Sequence, residues 1–167
     1  MKVTLEKILD NEAISHKTRR IAYQIYESNA KEKELVLAGI ADNGYIFAQR
    51  LQTVLENISP LQITMCKVSM DKNAPLGTVK TSLTTTDYEN KSVVLIDDVL
   101  NSGTTLIYGV KHFLDVPLKQ FKTAVLINRN HKKYPVKADF KGVSLSTSLS
   151  ERVKVVFRKG ADKAILE

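Results

Sequence analysis

Two adjacent acidic residues, Asp97 and Asp98, follow an apolar run and precede a short polar turn. The run at 92–96 predicts a strand that is buried on both faces, and the turn at 101–105 combines hydroxyl groups with the backbone N–H groups at the start of a predicted helix. Gly103 allows the backbone to close tightly around a phosphate. Because carboxylates repel phosphate, the acidic pair must face hydroxyl groups or Mg²⁺. The combination predicts a binding site for a ribose 5-phosphate.

Two other kinds of nucleotide site do not fit the sequence. Gly39 and Gly44 are separated by four residues, as in a Walker P-loop, but the residues that follow are Tyr45 and Ile46 rather than Lys and Ser or Thr. No G-x-G-x-x-G motif for a dinucleotide is present. A buried strand that ends in an Asx turn and a helix cap would explain one Asp and one Thr, but it would not explain the whole string from 97 to 105.

Predicted strands alternate with predicted helices along the chain. Apolar residues recur at helical spacing after the candidate N-caps Asp10 and Asn11, and short apolar runs between the helices indicate buried strands. The pattern predicts one helix after residue 10, two more at 47–58 and 104–115, and strands at 35–40, 61–66, 92–96, 121–127 and 153–157. This alternation is typical of an α/β fold with a doubly wound, mostly parallel sheet flanked by helices. Ligands of such sheets bind at the carboxyl ends of the strands, where the acidic pair falls.

Length and composition describe a single domain that spans 1–167. The chain is 43% hydrophobic and 26% charged, and 25 Lys and Arg against 18 Asp and Glu give it a net charge of +7, which favours an anionic partner: a nucleotide, a phosphosugar or a nucleic acid. The single cysteine, Cys66, excludes an intramolecular disulfide and a multi-cysteine zinc site. No apolar run is long enough to span a membrane or to form a signal peptide, so we expect a cytoplasmic protein without a membrane partner.

Several strings of this sequence resemble the type I phosphoribosyltransferases. The segment 95–105 is similar to the motif with which these enzymes bind phosphoribosyl pyrophosphate (PRPP), and the resemblance runs from about Ile8 to Phe157. It is strongest to the bifunctional pyrimidine-operon attenuator and uracil phosphoribosyltransferase family, through the strings at 95–100, 124–131, 137–140, 146–148 and 150–153. The resemblance implies the type I phosphoribosyltransferase fold with a small hood over the site, and it places the hood and base-recognition segment at 128–152.

The resemblance also implies a reaction and the residues that perform it. In this family a ring nitrogen of a base displaces pyrophosphate from the anomeric carbon of PRPP, through an oxocarbenium-like state, with Mg²⁺ bound to the pyrophosphate. Asp97 and Asp98 would be catalytic residues that hold the vicinal ribose hydroxyl groups, and they are candidate ligands for an Mg²⁺ held mainly through PRPP. The 5-phosphate would bind to Asn101, Ser102, Gly103, Thr104 and Thr105.

The base is expected to bind in the segment after the predicted strand at 121–127. The resemblance assigns base recognition, with the Phe140 ring as the stacking partner, to Asn128, Arg129, Phe140 and Lys141. Asn128 stands where pyrimidine relatives have an Asp and purine relatives have a Lys. Asn101 stands where purine-salvage relatives have an Asp, and an amide cannot take a proton. The sequence therefore favours uracil or another pyrimidine as the acceptor.

Two loops correspond to the pyrophosphate-binding parts of the family. The pyrophosphate loop would comprise Ala41, Asp42, Asn43 and Gly44. Close relatives carry Lys or Arg in this loop, whereas this chain has a carboxylate, so either Asp42 points away from the pyrophosphate or catalysis is weakened. Residues 69–90 predict a flexible loop or hairpin that is long enough to act as a lid. This segment begins with Ser69, Met70, Asp71 and Lys72. Lys72 could supply the positive charge that the pyrophosphate loop lacks.

Three functions remain open from the sequence. The first is a phosphoribosyltransferase with PRPP and a pyrimidine base as substrates, the second is an RNA-binding attenuator that senses nucleotides in the same pocket, and the third is a PRPP or nucleotide binder without turnover. Basic residues that could line an RNA surface, or only the rim of a site for a charged substrate, are Lys17, Arg19, Arg20, Lys132, Lys133, Lys137, Arg152 and Lys154. By resemblance we expect a homo-oligomer, either a dimer or a tetramer.

Overall fold

A computed structural model describes residues 5–71, 73–74, 76–148 and 150–167. The described part of the chain contains all the predicted helices and strands in their predicted order, together with five further elements. The elements are β1 (Glu6–Leu9), α1 (Asn11–Ser28), β2 (Glu34–Ile40), α2 (Asn43–Ile58), β3 (Gln62–Ser69), β4 (Lys80–Thr81), α3 (Thr85–Tyr88), β5 (Ser92–Leu100), α4 (Thr104–Phe113), β6 (Gln120–Arg129), β7 (Phe140–Leu145), β8 (Val153–Val156) and β9 (Lys163–Leu166). Those that were not among the predicted elements are β1, β4, α3, β7 and β9.

The main sheet has six strands in the order β4-β3-β2-β5-β6-β7. All neighbouring strands in it are parallel except the β3–β4 pair. Helices cover both faces, because α1 and α2 share one core cluster with the sheet while α3 and α4 share the other. This arrangement confirms the predicted α/β fold with a doubly wound, mostly parallel sheet.

The central strand β5 explains why the acidic pair has a fixed position. Its side chains alternate between the two core clusters, with Val94 and Ile96 on the α1–α2 face and Val93 and Leu95 on the α4 face. All four are fully buried, and each such side chain contributes about 1.5–3 kcal/mol through burial. The acidic pair lies in the same strand, toward its carboxyl end, so the rigid strand holds both residues at a defined place near the edge of the sheet.

Helix α1 begins where the sequence predicted. The Asp10 carboxylate caps the helix by accepting a hydrogen bond from the Ala13 backbone N–H at 2.8 Å. The apolar stripe of Ile14, Ile21 and Ile25 is buried against the main sheet. Among the described residues, no helix is both long enough and apolar enough to cross a bilayer.

A second, smaller sheet has three antiparallel strands in the order β1-β9-β8. The sequence placed the hood at 128–152, but within that segment β7 joins the main sheet instead, where Phe140, Val143 and Leu145 pack on the α1–α2 core cluster. The small sheet is built from the strands nearest the two ends of the chain. Its residues Val153 and Val155 join the same core cluster, so the small sheet is packed firmly against the main one.

The segment predicted as a flexible loop or hairpin, 69–90, contains an antiparallel hairpin between β3 and β4. The short helix α3 follows, and its Tyr88 ring is buried edge-on against Phe113 at a centroid distance of 4.9 Å. Lys72 lies outside the described residues, so its predicted role has no structural account here, and the flexibility of the segment stays a prediction. Cys66 is buried beneath this region, and burial raises the pKa of its thiol.

Candidate phosphoribosyl site

A cavity of about 420 Å³ opens at the carboxyl ends of β5 and β6, between the main sheet and the small sheet. One wall is the stretch from Asp97 through the turn at 101–105, and the opposite wall is the β8 strand with its flanking Arg152. The sequence argument predicted the first wall and its location. The second wall was not predicted as part of the site.

The turn between β5 and α4 has the geometry of a phosphate-binding loop. Gly103 precedes the helix with a φ of 86°, a conformation that favours glycine, and a Cβ atom there would lie 2.7 Å from Val136 Cγ1. The carbonyl of Ser102 accepts backbone hydrogen bonds from Lys133 at 2.7 Å and Tyr134 at 3.2 Å, which fixes the turn from outside. All five residues of the turn line the cavity. The Thr104 N–H donates to Ser102 Oγ at 3.3 Å, and the start of α4 offers the other N–H groups of its first turn to an anion.

The two acidic residues differ in burial and in partners. Asp97 is 3% exposed, and its Oδ1 accepts a hydrogen bond from the backbone N–H of Asp98 at 2.9 Å. Asp98 is half-buried, and its Oδ2 accepts from Asn43 Nδ2 at 3.2 Å. Both side chains line the cavity, so the carboxylate pair lies beside the turn at 101–105.

The loop at 41–44 approaches the acidic pair closely but contributes little to the cavity. A Cβ atom on Gly44 would lie 2.8 Å from the Ile96 carbonyl oxygen and 2.9 Å from Asp97 Cα, so α2 begins in contact with the end of β5. The Ala41–Asp42 peptide bond is cis. Asp42 is exposed and does not line the cavity, and of the four loop residues only Asn43 does. Of the two alternatives for Asp42, the structure therefore favours the one in which it lies away from the ligand.

Arg129 is the one predicted base-recognition residue that lines the cavity. Although it is only 8% exposed, its guanidinium has no carboxylate partner within the described parts of the chain. It donates to Asn101 Oδ1 at 3.0 Å, to Thr147 Oγ1 at 2.9 Å and to the carbonyl oxygens of Ser148 and Glu151 at 3.2 and 2.7 Å. Arg129 thus ties the phosphate-binding turn to the segment that leads into β8.

The other three predicted base residues lie elsewhere. Asn128 is buried and donates to Ser144 Oγ at 3.2 Å, and its Oδ1 has no hydrogen-bond partner among the described residues. Phe140 begins β7 opposite Ala124, away from the carboxyl ends, and packs half-buried on the core. Lys141 is exposed, and its carbonyl accepts from Arg20 at 2.9 Å. The Phe140 ring packs on the α1–α2 core cluster and does not line the cavity, so this geometry does not support stacking of a base on Phe140, which stays a prediction.

The described residues of the predicted lid do not line this cavity. Met70 packs on the core cluster beneath α4, and the Asp71 carboxylate accepts from the Asn73 backbone N–H at 2.9 Å. Ser69 ends β3 and pairs with Lys80. Sequence reasoning did not assign Lys154 on β8, or Arg152 just before it, to a part of the site, and named them only as cations of an RNA surface or of the rim of a site for a charged substrate. Their alternation with Val153 and Val155 was the signal that could have placed both cations on one face.

Comparison with known proteins agrees with this geometry. The model of the phosphoribosyl transferase domain family matches residues 4–157. The chain is 35% identical to the "Bifunctional protein PyrR" of Macrococcus caseolyticus over 164 residues, which cover 93% of this chain and 94% of that protein. It is 36% identical to the protein of the same name from Fusobacterium nucleatum, with 95% and 94% covered.

Solved structures with the same fold include purine enzymes. A hypoxanthine-guanine phosphoribosyltransferase from Bacillus anthracis superposes with a TM-score of 0.72 at 20% identity, with 86% of this chain and 85% of that chain covered. The hypoxanthine phosphoribosyltransferase of Trypanosoma cruzi superposes with a TM-score of 0.72 at 18% identity, with 84% and 81% covered. At such identities the likeness supports the fold alone. The matched family and the PyrR relatives show that the chain belongs to the type I phosphoribosyltransferase family, in the group of the bifunctional PyrR proteins.

Proposed function

We propose that the protein transfers ribose 5-phosphate from PRPP to a pyrimidine base, most simply uracil, and releases pyrophosphate. The observation that carries the proposal is the shared cavity of a phosphate-binding turn and a carboxylate pair. A ligand with a phosphate at one end and a vicinal diol next to it matches both features. The membership of the family supports the same activity.

The proposed mechanism depends on positioning. The turn at 101–105 binds the 5-phosphate, and Asp97 and Asp98 hold the ribose hydroxyl groups, so that the anomeric carbon faces the β8 wall. The C–O bond to pyrophosphate breaks as the C–N bond to the base forms, the bonding electrons leave with pyrophosphate, and the attacking ring nitrogen gives its proton to water. The carboxylates near the ribose also stabilise the positive charge that develops on the ring.

The cavity fits a divalent cation that arrives with the substrate. No cluster of three or more His, Cys, Asp or Glu side chains that could hold a metal occurs in the described segments, but the adjacent carboxylates of Asp97 and Asp98 both line the cavity. Mg²⁺ is commonly bound by one or two carboxylates together with substrate phosphates. When bound, it neutralises charge on the pyrophosphate, and Asp97 and Asp98 are the residues that would contact it.

The preference for a pyrimidine rests on Asn101. Because Arg129 donates to Asn101 Oδ1, the Nδ2 group of this amide is left as a donor toward the cavity. The carbonyl oxygens of uracil can accept such a hydrogen bond. An amide cannot take up a proton from a purine ring nitrogen, so the position lacks the carboxylate that purine relatives use there. We propose that Asn101 recognises the base and that Arg129 acts through Asn101, by fixing the orientation of its amide.

The test is pyrophosphate release from PRPP and Mg²⁺ with uracil, orotate, hypoxanthine, guanine, xanthine and adenine in parallel. We expect release with uracil well above the other bases. Release mainly with a purine would contradict the pyrimidine assignment but would support the assignment of phosphoribosyltransferase activity. No release with any base, in protein that calorimetry shows to bind PRPP, would favour a nucleotide sensor without turnover.

A second candidate function is RNA binding, favoured by an exposed pair on α1. The Arg19 guanidinium lies 5.2 Å above the ring of Tyr23, which is 47% exposed, and such pairs offer a stacking surface for an unpaired base. Arg20 is less available, since it donates to the carbonyl oxygens of Lys141 and Gly142. We expect RNA retention that weakens as salt rises and weakens further in Arg19→Ala. Retention unchanged by that substitution would contradict this surface.

Two expectations from the sequence stay proposals here, namely the homo-oligomer and the cytoplasmic location. Sedimentation of the purified protein distinguishes a monomer from a dimer or tetramer.

A further inference from the structure

The loop at 41–44 contains no Lys or Arg. Its residue that lines the cavity, Asn43, already makes hydrogen bonds to other parts of the protein. Asn43 Nδ2 donates to Asp98 Oδ2 at 3.2 Å and to the Val155 carbonyl oxygen at 2.9 Å. Asn43 thus joins three segments: the start of α2, the end of β5 and the middle of β8. The Asn43 amide is uncharged, and both of its hydrogens are already used, so Asn43 provides neither positive charge nor a free donor for a bound pyrophosphate.

A pyrophosphate group in this cavity needs positive charge from elsewhere. PRPP carries phosphate groups at both ends, and the turn at 101–105 serves only the 5-phosphate. The carboxylates that line the cavity belong to Asp97, Asp98 and Glu167. Their charge would repel the pyrophosphate unless cations face it as well.

Three cationic side chains line the cavity, and only two of them are available to bind a ligand. Arg129 is buried and already makes four hydrogen bonds to neutral oxygens of the protein. Arg152 and Lys154 are exposed at the cavity wall. Neither side chain has a hydrogen-bond or ion-pair partner within the parts of the chain that the structure describes.

Strand β8 holds these two cations in place. Val153 and Val155 are buried in the α1–α2 core cluster, so Arg152 and Lys154 project from the opposite face of the strand. The backbone of Arg152 exchanges two hydrogen bonds with Glu167, both of 2.8 Å. Asn43 binds the carbonyl of Val155, the residue after Lys154, so the backbone next to Lys154 lies beside the loop that lacks a cation, and the Lys154 side chain lines the same cavity as Asn43.

We infer that Lys154, with Arg152 next to it, binds the pyrophosphate group of PRPP in place of the loop cation that this chain lacks. The small sheet then has a role in the reaction: it supplies the charge that stabilises the leaving group, from a strand anchored by Asn43 to the ribose-binding carboxylate. The inference rests on the proposed function, since it assumes that PRPP occupies this cavity.

The test compares two ligands that differ only in the pyrophosphate. PRPP and ribose 5-phosphate are titrated calorimetrically, each with Mg²⁺, into the wild type and into Lys154→Ala. We expect the substitution to weaken PRPP binding about tenfold to hundredfold, the range for loss of a charge-assisted hydrogen bond, and to leave ribose 5-phosphate binding within about twofold. Lys154→Arg keeps the charge and is expected to restore most of the PRPP affinity.

The matched control is Lys163→Ala. Lys163 is an exposed lysine on β9, paired with Val156 of the same small sheet, and it does not line the cavity. Equal PRPP affinity in the two alanine variants would overturn the inference. A Lys154→Ala variant that loses affinity for PRPP and for ribose 5-phosphate by the same factor would overturn it too. A wild-type protein that binds ribose 5-phosphate but not PRPP would overturn it as well. A wild-type protein that binds neither ligand would instead overturn the proposed function.

Discussion

Replacing Gly103 with alanine is expected to weaken PRPP binding at least about hundredfold in a protein that still folds. At a φ of 86° an L-residue is strained by roughly 1–2 kcal/mol, and the new Cβ would lie 2.7 Å from Val136 Cγ1. The turn must move to relieve the backbone strain and the close contact with Val136. Its N–H groups then no longer converge on the phosphate. Loss of two charge-assisted hydrogen bonds, at about 1.5–3 kcal/mol each, gives this effect. Calorimetric titration of PRPP measures it.

Gly160→Ala is the matched control for backbone strain. Gly160 also has a positive φ, 77°, but a Cβ atom there would meet nothing within 4 Å, and the residue does not line the cavity. Backbone strain is expected to cost both variants about 1–2 kcal/mol of free energy of unfolding in chemical denaturation, and Gly103→Ala loses more because its Cβ also meets Val136. Only Gly103→Ala should lose PRPP affinity. If the two variants bound PRPP equally well, the turn at 101–105 would not be the phosphate site.

The parts of the site that could be predicted from the sequence are local. Asp97, Asp98 and the turn that ends at Thr105 lie within nine residues, so their spacing alone brings a carboxylate pair next to a helix start. The buried run before them identifies the central strand. No knowledge of how distant segments pair is needed for that inference, and the cavity lies where the strand pattern placed it.

The parts that could not be predicted depend on long-range pairing. Asn43, Asp98 and Val155 meet only because β5 and β8 come from different sheets that pack together, and no spacing in the sequence contains that contact. The position of Phe140 outside the cavity could not be predicted for the same reason, since it is set by the pairing with Ala124. Strands β1 and β9 have four residues each, which is too short for periodicity to identify them.

The buried guanidinium of Arg129 is expected to contribute most to the stability of the cavity wall. Arg129→Met keeps the length of the side chain but removes all four hydrogen bonds, which leaves acceptors on Asn101, Thr147, Ser148 and Glu151 without this donor. Partly buried acceptors left unsatisfied cost about 1–3 kcal/mol each when water cannot replace the donor, so we expect a loss of about 3 kcal/mol in the free energy of unfolding. Urea denaturation followed by circular dichroism measures it.

Arg129→Met should also impair the reaction in the molecules that remain folded, because the turn loses its link to the segment that leads into β8. The matched control is Arg19→Met, the same chemical change at an exposed arginine whose guanidinium donates to Tyr23 Oη at 3.1 Å, and we expect it to cost no more than about 0.5 kcal/mol. Arg129→Lys keeps the charge but cannot span four acceptors in different directions, so it should recover only part of the stability. Equal stability of Arg129→Met and Arg19→Met would mean that water replaces the guanidinium, and the wall would then be held by the strand pairing of β8 and β9 alone.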